Sequence, residues 1–161
     1  MGKIRLLVDM DGVMADFHAG VWNQLEKRLS VVKRFPKPDP IVDFYAEDCY
    51  DDPWFKEVVR EIQRSEGFFK NLPPIDGAVD ALHDLEKGYE VFICTAPLLE
   101  SPTCTNEKLE WVDNHLGGDW IRRTIITKDK TLIDGDFLID DKPIITGVNE
   151  NPIWQRILFD Q

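Results

Sequence analysis

Two aspartates one residue apart, Asp9 and Asp11, follow the apolar run Ile4 to Val8 and precede Gly12. A short run with β-branched residues and a polar stop predicts a buried strand. Carboxylates at its end stand at the carboxyl edge of a sheet, where open α/β folds bind ligands. The strand period of two lets Asp9 and Asp11 point the same way. Two carboxylates held this close repel and need a cation or a shared proton, and oxygen-only ligands favour Mg²⁺. Gly12 lets the chain turn where a side chain would block it. Taken alone, Asp-x-Asp-Gly also has the plainer reading of an Asp-rich turn with no chemistry.

Three later stretches weigh against the bland reading. Thr95 follows Phe92-Ile93-Cys94, Lys130 follows a predicted strand over 124–127, and Asp140-Asp141 follow Phe137-Leu138-Ile139. In a parallel sheet these strand ends share one edge with Asp9 and Asp11, and together they make a phosphoryl-transfer kit. Phosphate-monoester hydrolysis is very slow in water, so a site must neutralise anionic charge and supply a positioned nucleophile. Asp9 is the expected nucleophile, attacking phosphorus in line to give an aspartyl-phosphate. Asp11 is the expected general acid for the leaving oxygen, then the base for the hydrolytic water. Mg²⁺ would hold Asp9 and a phosphate oxygen together. The Thr95 hydroxyl and the backbone N–H groups beyond it, from Ala96 on, can donate to phosphate. Lys130 would set a fixed positive charge on it. Singly, each of these is a strand-end threonine, a solvated lysine or an acidic turn.

Alternating elements position the four strand ends. Apolar residues at 17, 21, 22, 25 and 29 predict a helix with Asp16 as N-cap. Pro36, Pro38 and Pro40 interrupt the pattern, and 41–50 is a short ambiguous segment. Asp52-Pro53 opens a helix running to about Ser65. From Asp76, expected to cap a helix that Gly88 ends, strands and helices alternate: strand 89–94, helix 106–116 ended by Gly117-Gly118, a turn at 120–122, then strands 124–127, 137–139 and 156–159. This predicts an α/β, doubly wound, Rossmann-like parallel sheet core made of 1–16 and 76–161, with a small inserted helical cap over 17–75.

The 161 residues fit one domain with an insert, with room for a sizeable core. A net charge of −11 argues against nonspecific binding to duplex nucleic acid. It leaves open a small anionic substrate, because a metal and a few lysines can invert the local field. No apolar run reaches the roughly 18–20 residues that span a bilayer, and no membrane partner is expected. Met1-Gly2-Lys3 enters the first strand almost at once, leaving no room for a signal peptide, and Leu6 breaks the pattern of a myristoylation start. Cys49, Cys94 and Cys104 are odd in number and without metal-like spacing. A reducing, cytoplasmic location is expected, with Cys94 a small buried hydrophobe. A homodimer is compatible with all of this.

The run Asp9-Met10-Asp11-Gly12-Val13-Met14-Ala15-Asp16-Phe17, with the three later motifs, resembles the haloacid dehalogenase superfamily of phosphatases and, more closely, its 5′(3′)-deoxyribonucleotidases. Asn106 to Val112, Thr127 to Thr131, Asp43 to Ala46, Gly67 to Phe69 and Leu72 to Ala78 are similar to the same family, so the resemblance covers nearly the whole chain. It implies Asp9 and Asp141 as Mg²⁺ ligands. It implies that Asp11 reaches the metal through its backbone carbonyl, and that Asp140 is an auxiliary metal-site residue holding a metal-bound water or a lysine. It singles out Lys130 ahead of Lys128, which replaces a frequent arginine, and gives Lys108 a supporting place in the phosphate pocket. It implies that Phe17 packs on the sugar, that Phe44, Tyr45 and Ala46 form the base-stacking segment, and that Lys142 approaches the base. The plainer reading of Phe17, Phe44 and Tyr45 is that they fill the cap's own core.

The chain departs from the pattern in places. Ala96 replaces the usual serine, which removes one hydroxyl donor and implies weaker phosphate contacts. Tyr45 stands for tryptophan and Ala46 for valine or isoleucine, which implies a roomier pocket and leaves base preference open. Mammalian members continue past the region matching Ile157-Leu158-Phe159, so either a shorter version or a trimmed chain is expected. The expected function is a Mg²⁺-dependent 5′(3′)-deoxyribonucleotidase acting on a small-molecule nucleotide. The alternatives are a phosphatase of another small phosphomonoester, such as a phosphosugar or a 3′-phosphate on a nucleic-acid end, and a catalytically weak nucleotide-binding module.

Overall fold

The computed structural model describes residues 2–29 and 44–160. The prolines at 36, 38 and 40, the start of the ambiguous segment and Asp43 lie outside the described residues.

Five parallel strands form one sheet: β1 (Arg5–Val8), β2 (Glu90–Thr95), β3 (Thr124–Ile126), β4 (Phe137–Asp140) and β5 (Gln155–Leu158), in the order β3-β2-β1-β4-β5. The chain steps outward from β1 to β3 on one side, then returns to β1's other side with β4. β1 is therefore the topological switch point, and ligands of such sheets bind beyond its carboxyl end. Val8 pairs with Ile93 and with Ile139, so the three central strands end at nearly one level.

The strand period decides the two faces. Leu6, Val8, Val91 and Ile93 join one buried cluster with Leu82, Trp111, Val112 and Trp120. These come from helices α3 (Ala78–Gly88), α4 (Cys104–Leu116) and α5 (Gly118–Ile121). Leu7, Cys94 and Leu138 point the other way and pack with Trp154, Ile133 and Ile145. Cys94 is fully buried, and burial pushes its thiol up to about 11, which leaves it an inert packing residue.

The insert carries α1 (Phe17–Leu29) and α2 (Pro53–Arg64). Asp16 Oδ1 accepts from the Ala19 N–H at 2.8 Å, and Asp52 Oδ1 accepts from the Trp54 N–H at 2.8 Å with Pro53 in the first turn. Asp76 does not cap α3. Gly77, at φ 78°, occupies the N-cap with no side-chain bond, because the chain turns there through a left-handed residue that only glycine adopts at no cost. α4 starts at Cys104 rather than Asn106, and the turn expected at 120–122 is the end of the one-turn α5. Gly117, at φ 91°, separates α4 from α5, so Gly118 opens a helix instead of closing one.

Two extended segments join the insert to the sheet. Asp16 N donates to Pro73 O at 2.7 Å and Ile75 N to Met14 O at 2.8 Å. The first buried cluster runs on from the sheet into the insert through Val21, Trp22, Leu25, Val59 and Ile62. Among the described residues, no helix is long and apolar enough to cross a membrane.

Candidate active site

Asp9 leaves β1 directly, its N–H donating to Ile139 O at 2.9 Å. Its Oδ1 accepts from the Met10 N–H at 2.7 Å and from Lys130 Nζ at 2.8 Å. Lys130 sits in a single 3₁₀ turn after β3 and also donates to Asp140 Oδ2 at 2.6 Å. Burial works against the Lys130 charge, but Asp9 and Asp140 outweigh it and hold the ammonium above its usual range. Asp140 Oδ1 accepts from the Lys142 N–H at 2.8 Å, so both its oxygens are engaged by the protein. Asp140 thus meets a lysine, one of the two roles the sequence left open.

Asp141 faces the same space. A carboxylate oxygen from each of Asp9, Asp140 and Asp141 lies within 4.8 Å of the others. Burial, then repulsion from Asp9 and Asp140, pushes the Asp141 carboxyl up to about 7. Gly12 makes the close approach feasible. At φ 74° it turns the chain, and a Cβ there would fall 1.8 Å from Asp141 Oδ2.

A second lysine holds the other aspartate. Lys108, on α4, has no exposed surface; its Nζ donates to Asp11 Oδ2 at 2.6 Å and to Thr95 Oγ1 at 2.8 Å. Its acceptor role leaves the Thr95 hydroxyl hydrogen free to donate elsewhere. Asp11 Oδ1 is buried and has no hydrogen-bond partner among the described residues. Burial raises the Asp11 carboxyl, Lys108 opposes the rise, and Asp9 adds to it, with the net shift upward. A carboxyl raised in this way beside a second carboxylate is the arrangement an acid–base pair needs.

α4 also holds the insert's return. Glu107 is buried and accepts from the Gly67 N–H at 2.7 Å and the Phe69 N–H at 2.9 Å. Burial pushes its carboxyl up, but the hydrogen bonds it accepts more than offset that and hold it below the usual range. Trp111 Nε1 donates to Leu72 O at 2.8 Å on the same stretch.

A cavity of about 310 Å³ opens over these groups. Of the residues singled out in the sequence, Asp9, Asp11, Phe17, Phe44, Tyr45, Ala46, Thr95, Ala96, Lys130, Asp140, Asp141 and Lys142 line it. Lys108 lies beneath the floor, bonded to two lining residues. Lys128 lines the rim, its exposed ammonium 3.4 Å from Pro97 O. Phe17 packs edge-on against Phe68, with ring centroids 5.3 Å apart, and lies 6.3 Å from Phe69. Phe44 and Tyr45 meet edge to face at 4.9 Å, and Tyr45 is half exposed, so it does not fill a core.

His18, Glu47, Gln63 and Phe69 also line the cavity, and sequence reasoning gave none of them a role. The adjacent aromatic rings of Phe68-Phe69 were a signal for the last. The other three are polar residues on helical or turn segments, where nothing distinguishes them from a solvated face. Burial lowers the His18 imidazole against the pull of Asp16, which keeps it neutral near pH 7.

Residues 3–161 match the family described as 5′ nucleotidase, deoxy (pyrimidine), cytosolic type C protein. The chain is 41% identical over 161 residues to the cytosolic-type 5′(3′)-deoxyribonucleotidase of Homo sapiens, covering 98% of this chain and 80% of that protein. It is 38% identical over 160 residues to the mitochondrial 5′(3′)-deoxyribonucleotidase of Mus musculus, covering 97% and 72%. The crystal structure of a hydrolase from Streptococcus pneumoniae superposes with a TM-score of 0.65 at 14% identity, over 99% of this chain and 94% of that one, which supports the fold alone. With the family match spanning nearly every residue, the chain belongs to the 5′(3′)-deoxyribonucleotidases, phosphomonoester hydrolases of the haloacid dehalogenase-like fold.

Proposed function

We propose that this chain hydrolyses deoxyribonucleoside monophosphates to nucleoside and phosphate, in the cytoplasm and with Mg²⁺, through a phosphorylated Asp9. The observation that carries this reading is one cavity lined both by Asp9, Asp11, Thr95 and Lys130 and by the rings of Phe17, Phe44, Tyr45 and Phe69. A metal-phosphate site joined to an aromatic wall suits a nucleoside monophosphate. The segment 17–75 acts as the cap that supplies the wall, and 1–16 with 76–161 supplies the chemistry.

The donor set fits a hard divalent cation. It is made only of carboxylate oxygens, gathered close enough that Asp141 resists ionising without a counter-charge. Asp9 and Asp141 would hold the ion, with the Asp11 carbonyl as a further ligand, while Asp140 orients Lys130. When bound, the ion offsets the negative charge of nucleophile and phosphate and polarises a phosphoryl oxygen.

The chain's own groups do the rest. Met10 N–H and Lys130 fix Asp9 Oδ1, so Oδ2 is the oxygen that attacks phosphorus. The ester P–O bond breaks, its electron pair stays on the sugar oxygen, and Asp11 gives that oxygen its proton. Asp11, now a carboxylate beside Lys108, takes a proton from water. The water oxygen bonds to phosphorus, the Asp9–phosphorus bond breaks, and phosphate leaves. Thr95, the N–H groups from Ala96 on, and Lys130 donate to the phosphoryl oxygens throughout.

The test is phosphate release from nucleoside monophosphates pairing ribo with deoxy and 5′ with 3′, in Mg²⁺ and in EDTA. The expected result is Mg²⁺-dependent preference for the deoxy substrates. Activity on p-nitrophenyl phosphate alone would keep the chemistry and discard the nucleotide.

A further inference from the structure

The cap's contribution to the cavity lining is not purely aromatic. Gln63, on α2, is 7% exposed, and its amide Nε2 donates to Glu47 Oε2 at 3.1 Å. Both residues line the cavity. Among the described residues Glu47 has one ion-pair partner, Arg60, whose Nε is 3.9 Å from Oε1 and whose side chain is 41% exposed, a loose partner that does not consume the carboxylate. A buried amide is holding a carboxylate at the wall, in a pocket whose other cap residues are rings and Ala46. Stacking on rings takes every base alike; a fixed acceptor does not.

We propose that Glu47, oriented by Gln63, is a specificity-determining residue that selects a base carrying an exocyclic amino group, cytosine over uracil and thymine. This rests on the nucleotidase reading above. A carboxylate accepts from the cytosine amino group, and Gln63 keeps a second amide hydrogen for the adjacent ring nitrogen. Uracil and thymine put a carbonyl oxygen where cytosine has the amine. Their single ring N–H lies between two carbonyl oxygens, so a carboxylate approaching it meets lone pairs. A polar group built to be satisfied by one base is left unpaired by the other, and that is a strong source of discrimination.

dCMP and dUMP are nearly isosteric, and their ratio of kcat/KM within one preparation cancels any loss of folded protein. The wild-type chain is expected to favour dCMP by about tenfold or more. Glu47→Gln, whose amide can donate to a carbonyl, is expected to bring the ratio to about threefold or less. A wild-type ratio near or below unity, or an unchanged ratio in Glu47→Gln, would overturn the assignment while leaving the nucleotidase intact. Turnover of p-nitrophenyl phosphate by the wild type, with none of either nucleotide, would instead remove the nucleotidase reading and this inference with it.

Discussion

Lys108 Nζ lies 2.6 Å from Asp11 Oδ2, and the lysine side chain has no exposed surface. A buried cation and a carboxylate with one orphan oxygen depend on each other. Breaking such a pair leaves an uncompensated charge, which costs about 3–5 kcal/mol when fully buried. Asp11 is partly open, at 26% exposure, and can take up a proton instead, so the loss is smaller. Lys108→Met, which keeps the apolar stem, is expected to lower unfolding free energy by about 2–3 kcal/mol and to cut turnover by about 10²-fold, because Asp11, no longer opposed by the lysine, holds its proton more tightly and gives it to the leaving oxygen less readily. Urea unfolding beside steady-state kinetics checks both, and unchanged stability would mean the pair holds nothing.

Glu107, the next residue, does mechanical work of a different kind. Its two oxygens accept from the backbone at Gly67 and Phe69, where the insert returns to the sheet. Glu107→Gln keeps one acceptor and turns an amide N–H₂ against a backbone N–H. With a charged hydrogen bond worth about 1.5–3 kcal/mol, the variant is expected to lose about 2–4 kcal/mol. Because Phe69 lines the cavity, its KM for a nucleotide is expected to rise as well. Equal denaturation midpoints for variant and wild type would refute the clamp.

The strand ends were the legible part. β1, β2 and β4 each read as a short apolar run with a polar stop, and in a parallel sheet that local signal places Asp9, Thr95 and Asp140 on one edge without further information. Lys108 and Glu107 were less so. On a helix, a Lys or Glu is usually a solvated face, and only packing against another segment distant in sequence makes it a buried partner. Lys108 was reachable through the family resemblance, Glu107 through nothing. Asp76 failed as a cap because the tertiary turn demanded a positive φ at Gly77, and that requirement outranks a side-chain preference. Glu47, Gln63 and His18 meet the site only through the placement of the insert, which no short window encodes.

The crowded carboxylates give a pH signature. The Asp141 carboxyl stands at about 7, and those of Asp11 and Asp140 are also raised. Below about pH 7 the proton on Asp141 must leave before a cation binds, so the apparent Mg²⁺ affinity should fall as pH drops, by up to about tenfold per unit. For folding without metal the sign reverses. A carboxyl raised from 3.8 to about 7 favours the folded state at low pH, and that contribution is lost as pH rises through about 7. Thermal melts in EDTA should therefore weaken from pH 5 to pH 8, and Mg²⁺ should restore the loss most at the upper end. Calorimetric titration at pH 6 and pH 8 in two buffers measures the released proton, and a pH-independent affinity would exclude Asp141 as a ligand.

Gly12 is held by two constraints at once. Its φ of 74° strains any residue with a Cβ, and the atom would strike Asp141 Oδ2 at 1.8 Å. Backbone strain alone costs about 1–3 kcal/mol. The collision falls on a carboxylate that must face the cation, so Gly12→Ala is expected to weaken Mg²⁺ binding by more than its stability loss predicts. Comparing the midpoint of Mg²⁺ activation with the shift in melting temperature separates the two. A variant destabilised but activated at the wild-type Mg²⁺ concentration would assign Gly12 to the turn alone.

Asp11 serves two steps that a choice of leaving group can pull apart. With a nucleotide, the departing sugar oxygen is a poor leaving group and needs the Asp11 proton, so Asp11→Asn should slow formation of the phosphorylated Asp9. With p-nitrophenyl phosphate the phenolate leaves unaided, so the first step should survive. The second step still needs Asp11 as base for the attacking water, and an amide cannot supply one. Asp11→Asn is therefore expected to release about one p-nitrophenol per site in a rapid burst and then to turn over about 10²-fold more slowly than the wild type. The phosphorylated protein should persist long enough to appear as an added phosphoryl mass, and Asp9→Asn, lacking the nucleophile, should show neither burst nor mass. Rapid-quench kinetics with intact-mass measurement decides this. A variant that slows without a burst would place the loss in the first step, or transfer the base role to another group.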